Sequence, residues 1–209
     1  MQMDIIATQI TALILAGGRG SRMGEVNKGL QMLGNHSLIA HVIARVATQA
    51  SSLLINANRD LDDYAQFNYP VISDQLEGYA GPLAGIHAGL LACRTDYLLT
   101  CPCDSPLLPT DLAQRLALAL AESGAQLALV SCRDLESEDQ KIRAQPVFSL
   151  MRRDLAPHLQ HFLSEGGRKI SLWYASLRVV EVFFDDASAF QNINTRAQLD
   201  ALAAQMRGR

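Results

Sequence analysis

The sequence predicts an α/β fold, a mostly parallel, doubly wound sheet with helices on both faces. Short apolar runs alternate with amphipathic stretches along most of the chain, and each early run stops at a polar residue or a glycine turn. Size agrees: with 209 residues, 49% of them hydrophobic, the chain is long and apolar enough to bury the core of one such domain.

Residues 10–15 (ITALIL) read as a first, buried strand. Over residues 37–49, Leu38, Ile39, Val42, Ile43 and Val46 recur at helical spacing, with Ser37 as the N-cap. Leu53–Ile55 predicts a second strand ending at Asn56, and Pro70-Val71-Ile72 leads to Asp74. Residues 78–85 then open a helix through Leu91, and Tyr97–Thr100 is a third buried strand halted by Pro102. A helix over 110–121 and a strand over Leu127–Ser131 follow. Beyond this the pattern loosens. Residues 133–143 read as a charged surface loop, 145–150 as a strand, 151–164 as a helix, 178–184 as an alternating strand and 195–206 as a final helix. No repeat or low-complexity linker divides the chain, so 1–209 reads as a single domain.

A net charge of −3 argues against a general nucleic-acid or anionic-membrane binder, which usually needs a broad basic face. A small anionic ligand needs only a local cluster of cations. Cys93, Cys101, Cys103 and Cys132 form no C-x-x-C pair, and the C-P-C spacing at 101–103 is poor for structural zinc. Reduced thiols in a cytoplasm fit this usage better than a disulfide scaffold. The apolar run near the start is too short to span a membrane and has Asp4 ahead of it instead of a cationic leader. The expected location is cytoplasmic.

The first strand breaks at Ala16-Gly17-Gly18 into a loop carrying Arg19, Arg22 and Lys28. Glycines let backbone N–H groups converge on a ligand, and cations beside such a nest suit a polyphosphate. A bare strand-to-helix turn would use the glycines without needing three cations. The P-loop pattern fails, since Gly24 is followed by Glu25, and the dinucleotide pattern from Gly18 and Gly20 meets Met23 at its last position. In an open parallel sheet, ligands bind beyond the carboxyl ends of the strands. The polar groups following the strands (the Gly17 loop, Asn56, Asp74 and Asp104) should therefore share one crevice.

Asp104 lies in C-P-C-D-S-P, where it could cap a helix, but prolines 106 and 109 delay the next helix to about Thr110. A carboxylate on a rigid loop facing a phosphate nest suits Mg²⁺. Gly81-Pro82-Leu83-Ala84-Gly85 is either an ordinary helix entry or a flat surface admitting a base edge. His158 and His161, three apart, lack the partners of a metal site, and Cys101 and Cys103 lack a nearby base. Arg168-Lys169 is either a solvated pair or a second anion site.

The stretch L-A-G-G-x-x-x-R-M-G-x-x-x-K, with I-N-A-N-R at 55–59, G-P-L-A-G at 81–85 and C-P-C-D at 101–104, resembles the molybdenum cofactor guanylyltransferases. The likeness is most specific over residues 10–112 and extends more loosely to N-I-N-T at 192–195. It implies a Rossmann-like nucleotidyltransferase fold, in which GTP and molybdenum-molybdopterin give the guanine dinucleotide cofactor and pyrophosphate. Carried over by residue, Lys28, Asp104 and Arg22 are catalytic, with Asp104 also on Mg²⁺. The nucleotide falls to Leu15, Ala16, Gly17, Gly18, Lys28, Asn56, Asp74, Gly81 and Asp104. Arg168, Asn192 and Asn194 face the pterin substrate. On this reading about 10–112 is the nucleotide-binding part and about 140–209 the pterin side. Handover of the oxygen-sensitive pterin would involve transient contact with other molybdenum-cofactor proteins, though no residue identifies one. Asn27 departs from the resemblance, standing where the family often has Asp. A molybdopterin or isoprenoid-precursor cytidylyltransferase and a non-catalytic nucleotide-binding module remain alternatives.

Overall fold

The computed structural model describes residues 5, 7–17, 27–75, 81–134, 139 and 141–207. The chain begins with β1 (Ile10–Leu15), a small hairpin of β2 (Met32–Leu33) and β3 (His36–Ser37), and α1 (Leu38–Val46). Then come β4 (Ser52–Asn56), α2 (Leu61–Ala65), β5 (Val71–Ile72), α3 (Pro82–Ala92) and β6 (Tyr97–Pro102). α4 (Leu112–Ser123), β7 (Leu127–Arg133), β8 (Ile142–Arg152) and α5 (Ala156–Ser164) follow, and the chain closes with α6 (Ile170–Tyr174), β9 (Val179–Phe184) and α7 (Arg196–Arg207).

Seven strands form one sheet in the order β5-β4-β1-β6-β8-β7-β9. All neighbours pair in parallel except β8, which runs antiparallel to both β6 and β7. This is the mostly parallel α/β sheet that the alternating pattern predicts. β1 is central, so both its faces are covered and its sequence is apolar apart from Thr11. Ile10, Ala12 and Ile14 point to the face covered by α1 and α4, where Ile39, Val42, Leu112 and Leu116 are buried. Leu13 points to the other face, under Leu83 and Ile86 of α3, Leu159 and Leu163 of α5, and Trp173 of α6.

α3 is buried from Leu83 through Leu90, between the sheet and α5. Its glycines permit this closeness, since a Cβ on Gly89 would sit 2.4 Å from Leu13 Cδ2. A third apolar cluster joins Leu33 and Leu38 to Leu199 and Leu202, and so docks α7 on the hairpin.

Three details differ from expectation. Ser37 occupies the N-cap with φ −68° and ψ 158° but caps nothing with its side chain, because it belongs to the hairpin opposite Met32. The helix expected over 151–164 is strand through Arg152, then a 3-10 turn (Arg153–Leu155), and only then α5. The expected 133–143 loop is narrowed by strand pairing at both ends (Arg133↔Ile142), and residues 135–138 and 140 lie outside the described residues.

The strand order reverses beside β1. The chain steps outward from β1 to β4 and β5, then crosses back to β6 on the other side, which opens a crevice at the carboxyl ends of β1, β4 and β6. Register sharpens this: Leu15 is paired with Asn56 on one side and Pro102 on the other, so three strands finish level.

Candidate functional site

Level strand ends bring their following residues together. Ala16 N–H donates to Asn56 O (2.8 Å) and Cys103 N–H to Leu15 O (3.1 Å), so the chain leaving β1 is fastened to the end of β4 and to the residues that follow β6. These loops border a cavity of about 290 Å³. It is lined by Leu15, Ala16 and Gly17 from β1, by Lys28, and by Asn56, Asp74, Gly81 and Asp104. Asn192 closes it from the far end of the chain. Asp74 and Asp104 are its carboxylates among the described residues, and Lys28 its cation.

Asp104 follows β6 and is 8% exposed. Burial raises its pKa above the ordinary value, and the Lys28 ammonium partly opposes this. Lys28 Nζ lies 3.7 Å from Asp104 Oδ2 and donates to Asn194 Oδ1 at 2.6 Å. Asn192 accepts from Ser105 Oγ (2.7 Å), and Ile193 N–H donates to Asp104 O (2.8 Å). The N-I-N segment thus zips onto the Asp104 loop and holds Lys28 from above.

At the other end of the cavity, Asn56 donates to Asp74 Oδ1 (2.9 Å) and Asn58 to Asp74 Oδ2 (2.8 Å), while Asp74 N–H donates to Asn58 Oδ1 (2.9 Å). Asn58 therefore grips Asp74 from two sides. Gly17 is needed beneath these amides, because a Cβ there would lie 2.9 Å from Asn58 Nδ2 and 3.2 Å from Asn56 Oδ1. A Cβ on Gly85 would lie 2.3 Å from Asn56 Oδ1.

Of the residues singled out in the sequence, Leu15, Ala16, Gly17, Lys28, Asn56, Asp74, Gly81, Asp104 and Asn192 border this one cavity. Asn194 reaches it through Lys28. Arg168 does not line it; its guanidinium donates to Leu163 O (2.9 Å) and Gly167 O (2.7 Å), closing the end of α5. Gly18, Arg19 and Arg22 lie outside the described residues. His158 has a structural task instead of a metal, since its Nδ1 accepts from Trp173 Nε1 at 3.0 Å. Burial pushes the Cys101 thiol up to about 12 and Cys103 higher, the latter also beside Asp104, so both stay protonated and unsuited as nucleophiles.

Val147 is a lining residue that sequence reading missed. The β7–β8 register jumps from Leu129↔Ser149 to Val130↔Gln145, leaving Pro146, Val147 and Phe148 in a bulge. Thr100 Oγ1 donates to Val147 O (2.7 Å) and fixes the bulge against β6. The proline inside an otherwise alternating strand is the signal that could have found it.

The sequence family described as the MobA-like NTP transferase domain matches residues 12–178. A molybdenum cofactor guanylyltransferase of Ralstonia nicotianae is 52% identical over 200 residues, spanning 95% of this chain and 98% of that relative. One of Cupriavidus metallidurans is 51% identical, spanning 91% and 92%. Among solved structures, molybdopterin-guanine dinucleotide biosynthesis protein A of Archaeoglobus fulgidus aligns with TM-score 0.74 at 21% identity, covering 95% of this chain and all (100%) of that one. The 4-diphosphocytidyl-2C-methyl-D-erythritol synthase of Anaerococcus prevotii reaches the same TM-score, 0.74, at 14% identity, covering 96% and 97%. The fold is therefore shared by enzymes whose names specify different nucleotides.

Proposed function

Because the chain belongs to the MobA-like NTP transferase family, we propose that it transfers GMP from GTP to the terminal phosphate of molybdenum-molybdopterin, giving the guanine dinucleotide cofactor and pyrophosphate. The observation that carries this reading is that the Gly17 turn, Lys28 and Asp104 border one cavity at the strand-order reversal. A cytidylyltransferase shares the fold, but the relatives at about half identity are named guanylyltransferases. A module that only binds nucleotide would have little use for a buried carboxylate facing the triphosphate.

The chemistry follows from charge. An anionic oxygen of the pterin's phosphate attacks the α-phosphorus in line, a new P–O bond forms, and the bond to the β-phosphate oxygen breaks with its electrons leaving on pyrophosphate. The incoming group is already a nucleophile, so no protein nucleophile is needed. The task of the protein is to position the reactants and neutralise charge. Lys28 and the amides of the Gly17 turn stabilise the α-phosphoryl group and the departing pyrophosphate, joined by Arg22. Asn56, Asp74 and Gly81 hold the nucleoside, and Leu15 and Ala16 shape its floor. Asn192 and Asn194 face the pterin phosphate.

Among the described residues no three His, Cys, Asp or Glu side chains group as metal ligands. A single buried carboxylate beside a triphosphate suits Mg²⁺, which takes one or two carboxylates and fills its shell with phosphate oxygens and water. Bound by Asp104, it would supply Lewis-acid stabilisation of the phosphoryl oxygens. No helix among the described residues is long and apolar enough to cross a membrane. All four cysteines are free, which supports a reducing cytoplasm. Transient contact with the proteins that deliver or receive the pterin belongs to the same reading.

The test measures pyrophosphate release by the purified protein with molybdenum-molybdopterin, Mg²⁺ and each of the four nucleoside triphosphates. GTP is expected to be preferred, and Asp104→Ala to lower turnover by about 10²–10³-fold, the usual loss for one transition-state stabiliser. Equal use of CTP, or an undiminished Asp104→Ala variant, would overturn the proposal.

A further inference from the structure

The short helix α2 lies outside the nucleotide cavity, yet it holds the residue next to Lys28 at both ends of its side chain. Tyr64 is fully buried (0% exposed), and its hydroxyl donates to Asn27 Oδ1. Asn27 Nδ2 donates in turn to Asp60 Oδ2 at 2.9 Å. Asp60 starts α2 in the left-handed conformation, φ 52° and ψ 39°, which Asn and Asp tolerate better than other side chains. Its carbonyl accepts from Asp63 and Tyr64 N–H groups (both 3.1 Å), so the carboxylate and the phenol are fixed relative to each other by one helical turn.

Asn27 is itself the anchor of a tight turn. Its carbonyl accepts from Leu30 N–H (3.2 Å), and the carbonyl of Lys28 accepts from Gln31 N–H (3.0 Å). The turn rests on the phenol, since a Cβ on Gly29 would lie 2.8 Å from Tyr64 Oη and 3.1 Å from Cys103 Sγ. A displacement of the Asn27 side chain is therefore carried along the backbone to Lys28, whose ammonium sits between Asp104 and Asn194.

The geometry points to Asn27 as a positioning residue for Lys28, with a primary amide required at 27 because its two fixed partners are a donor, Tyr64, and an acceptor, Asp60. Only an amide answers both: its oxygen takes the phenol proton and its nitrogen gives one to the carboxylate. Burial raises the Tyr64 pKa far above the ordinary phenol value, which keeps the hydroxyl a donor. An aspartate at 27 would still accept from Tyr64 but would set two carboxylates face to face. The mismatch should be reparable from the other side, because Asn at 60 supplies the missing N–H and tolerates the same backbone conformation. This inference rests on the assignment of Lys28 to the triphosphate site.

The experiment compares GTP-dependent pyrophosphate release and thermal unfolding in wild type, Asn27→Asp, Asp60→Asn, the Asn27→Asp/Asp60→Asn pair and Lys28→Ala. Asn27→Asp is expected to lower kcat for GTP by roughly tenfold, in the range found when directly contacting charged groups are mismatched. The paired variant is expected to return to within about threefold of wild type. A role in folding alone would change the unfolding midpoint without this reciprocal recovery of kcat per folded molecule. Should Asn27→Asp fail to fold, the pair still decides: recovered turnover supports the proposal and unrecovered turnover overturns it. An undiminished Asn27→Asp also overturns it. Near-normal turnover by Lys28→Ala would instead overturn the site assignment beneath it, so the two failures are distinguishable.

Discussion

Gly85 and Gly89 lie one helical turn apart on α3, and replacing each by alanine separates packing from nucleotide binding. At Gly85 the new Cβ would fall 2.3 Å from Asn56 Oδ1, 2.7 Å from Leu15 Cδ2 and 2.9 Å from Asn56 Cγ. The shortest of these is about 1 Å inside ordinary contact. Asn56 must swing away and lose its bonds to Asp74 Oδ1 (2.9 Å) and Ile72 O (3.3 Å). Overpacking costs about 1–3 kcal/mol and a lost hydrogen bond about 1 kcal/mol, offset by roughly 1 kcal/mol from the better helix former. With both bonds lost, a net loss of about 2–4 kcal/mol lowers the thermal midpoint by roughly 4–16 °C in a chain of this size. At Gly89 the Cβ would press on Leu13 Cδ2 at 2.4 Å, a buried core contact, with a smaller stability loss because no hydrogen bond is broken. The variants should part in the kinetics. Gly85→Ala displaces Asn56, which on the proposed reading holds the nucleoside, and should raise KM for GTP by about three- to tenfold. Gly89→Ala should leave KM near wild type. Steady-state kinetics and calorimetry on both variants decide the matter. An unchanged KM in Gly85→Ala, with its stability loss present, would refute the coupling of α3 to the nucleotide through Asn56.

Two further substitutions follow from buried titratable groups. Asp104 carries a pKa raised above 3.8 by burial, so the contribution of its protonated carboxyl to stability is full below that value and is lost as pH rises through its folded value. Asp104→Asn should therefore unfold at a higher temperature than the wild type without metal, by a margin that grows as pH rises from about 4, while transfer falls about 10²–10³-fold; a margin that shrinks with rising pH would contradict this. His87 is 3% exposed, and among the described residues neither of its ring nitrogens has a hydrogen-bond partner. Burial lowers its pKa below 6.5, so its share of stability is present above that value and lost as pH falls through the lowered one. His87→Leu should stabilise the fold by about 1 kcal/mol near neutrality and by more in acid, measured by denaturant midpoints; a loss of stability at every pH would show that the imidazole has a task.

The strands whose ends build the site were legible because each is a compact apolar run stopped by a polar residue or turn. Parallel pairing then converts those stops into neighbours, as with Leu15, Asn56 and Pro102. The convergence of Gly17, Asn56, Asp74 and Asp104 on one cavity followed from that rule plus residue chemistry. The antiparallel course of β8 was not legible, because pairing direction leaves no mark in its buried run Phe148–Met151. Its bulge at Pro146–Phe148 breaks the alternation that would have marked Val147. α2 has five residues, too few to show a period, and its role depends on Tyr64 meeting Asn27, 37 positions earlier in the chain. The charge of Arg168 suggested an anion site, whereas its hydrogen bonds run to the carbonyls that end α5, a pairing only three-dimensional structure reveals.

The N-I-N segment sets a condition on biosynthesis. The nucleotide-binding loops up to residue 104 are translated first, but Lys28 receives its Asn194 partner, and Ser105 its Asn192 partner, only after some ninety further residues have been added, at about 5–20 residues per second. A nascent polypeptide therefore carries the front half of the candidate site for several seconds with the clasp missing. On the proposed reading the site is complete only once residues 192–194 reach it, and a chain ending before Asn192 would lack both the Asn194 partner of Lys28 and the Asn192 partner of Ser105.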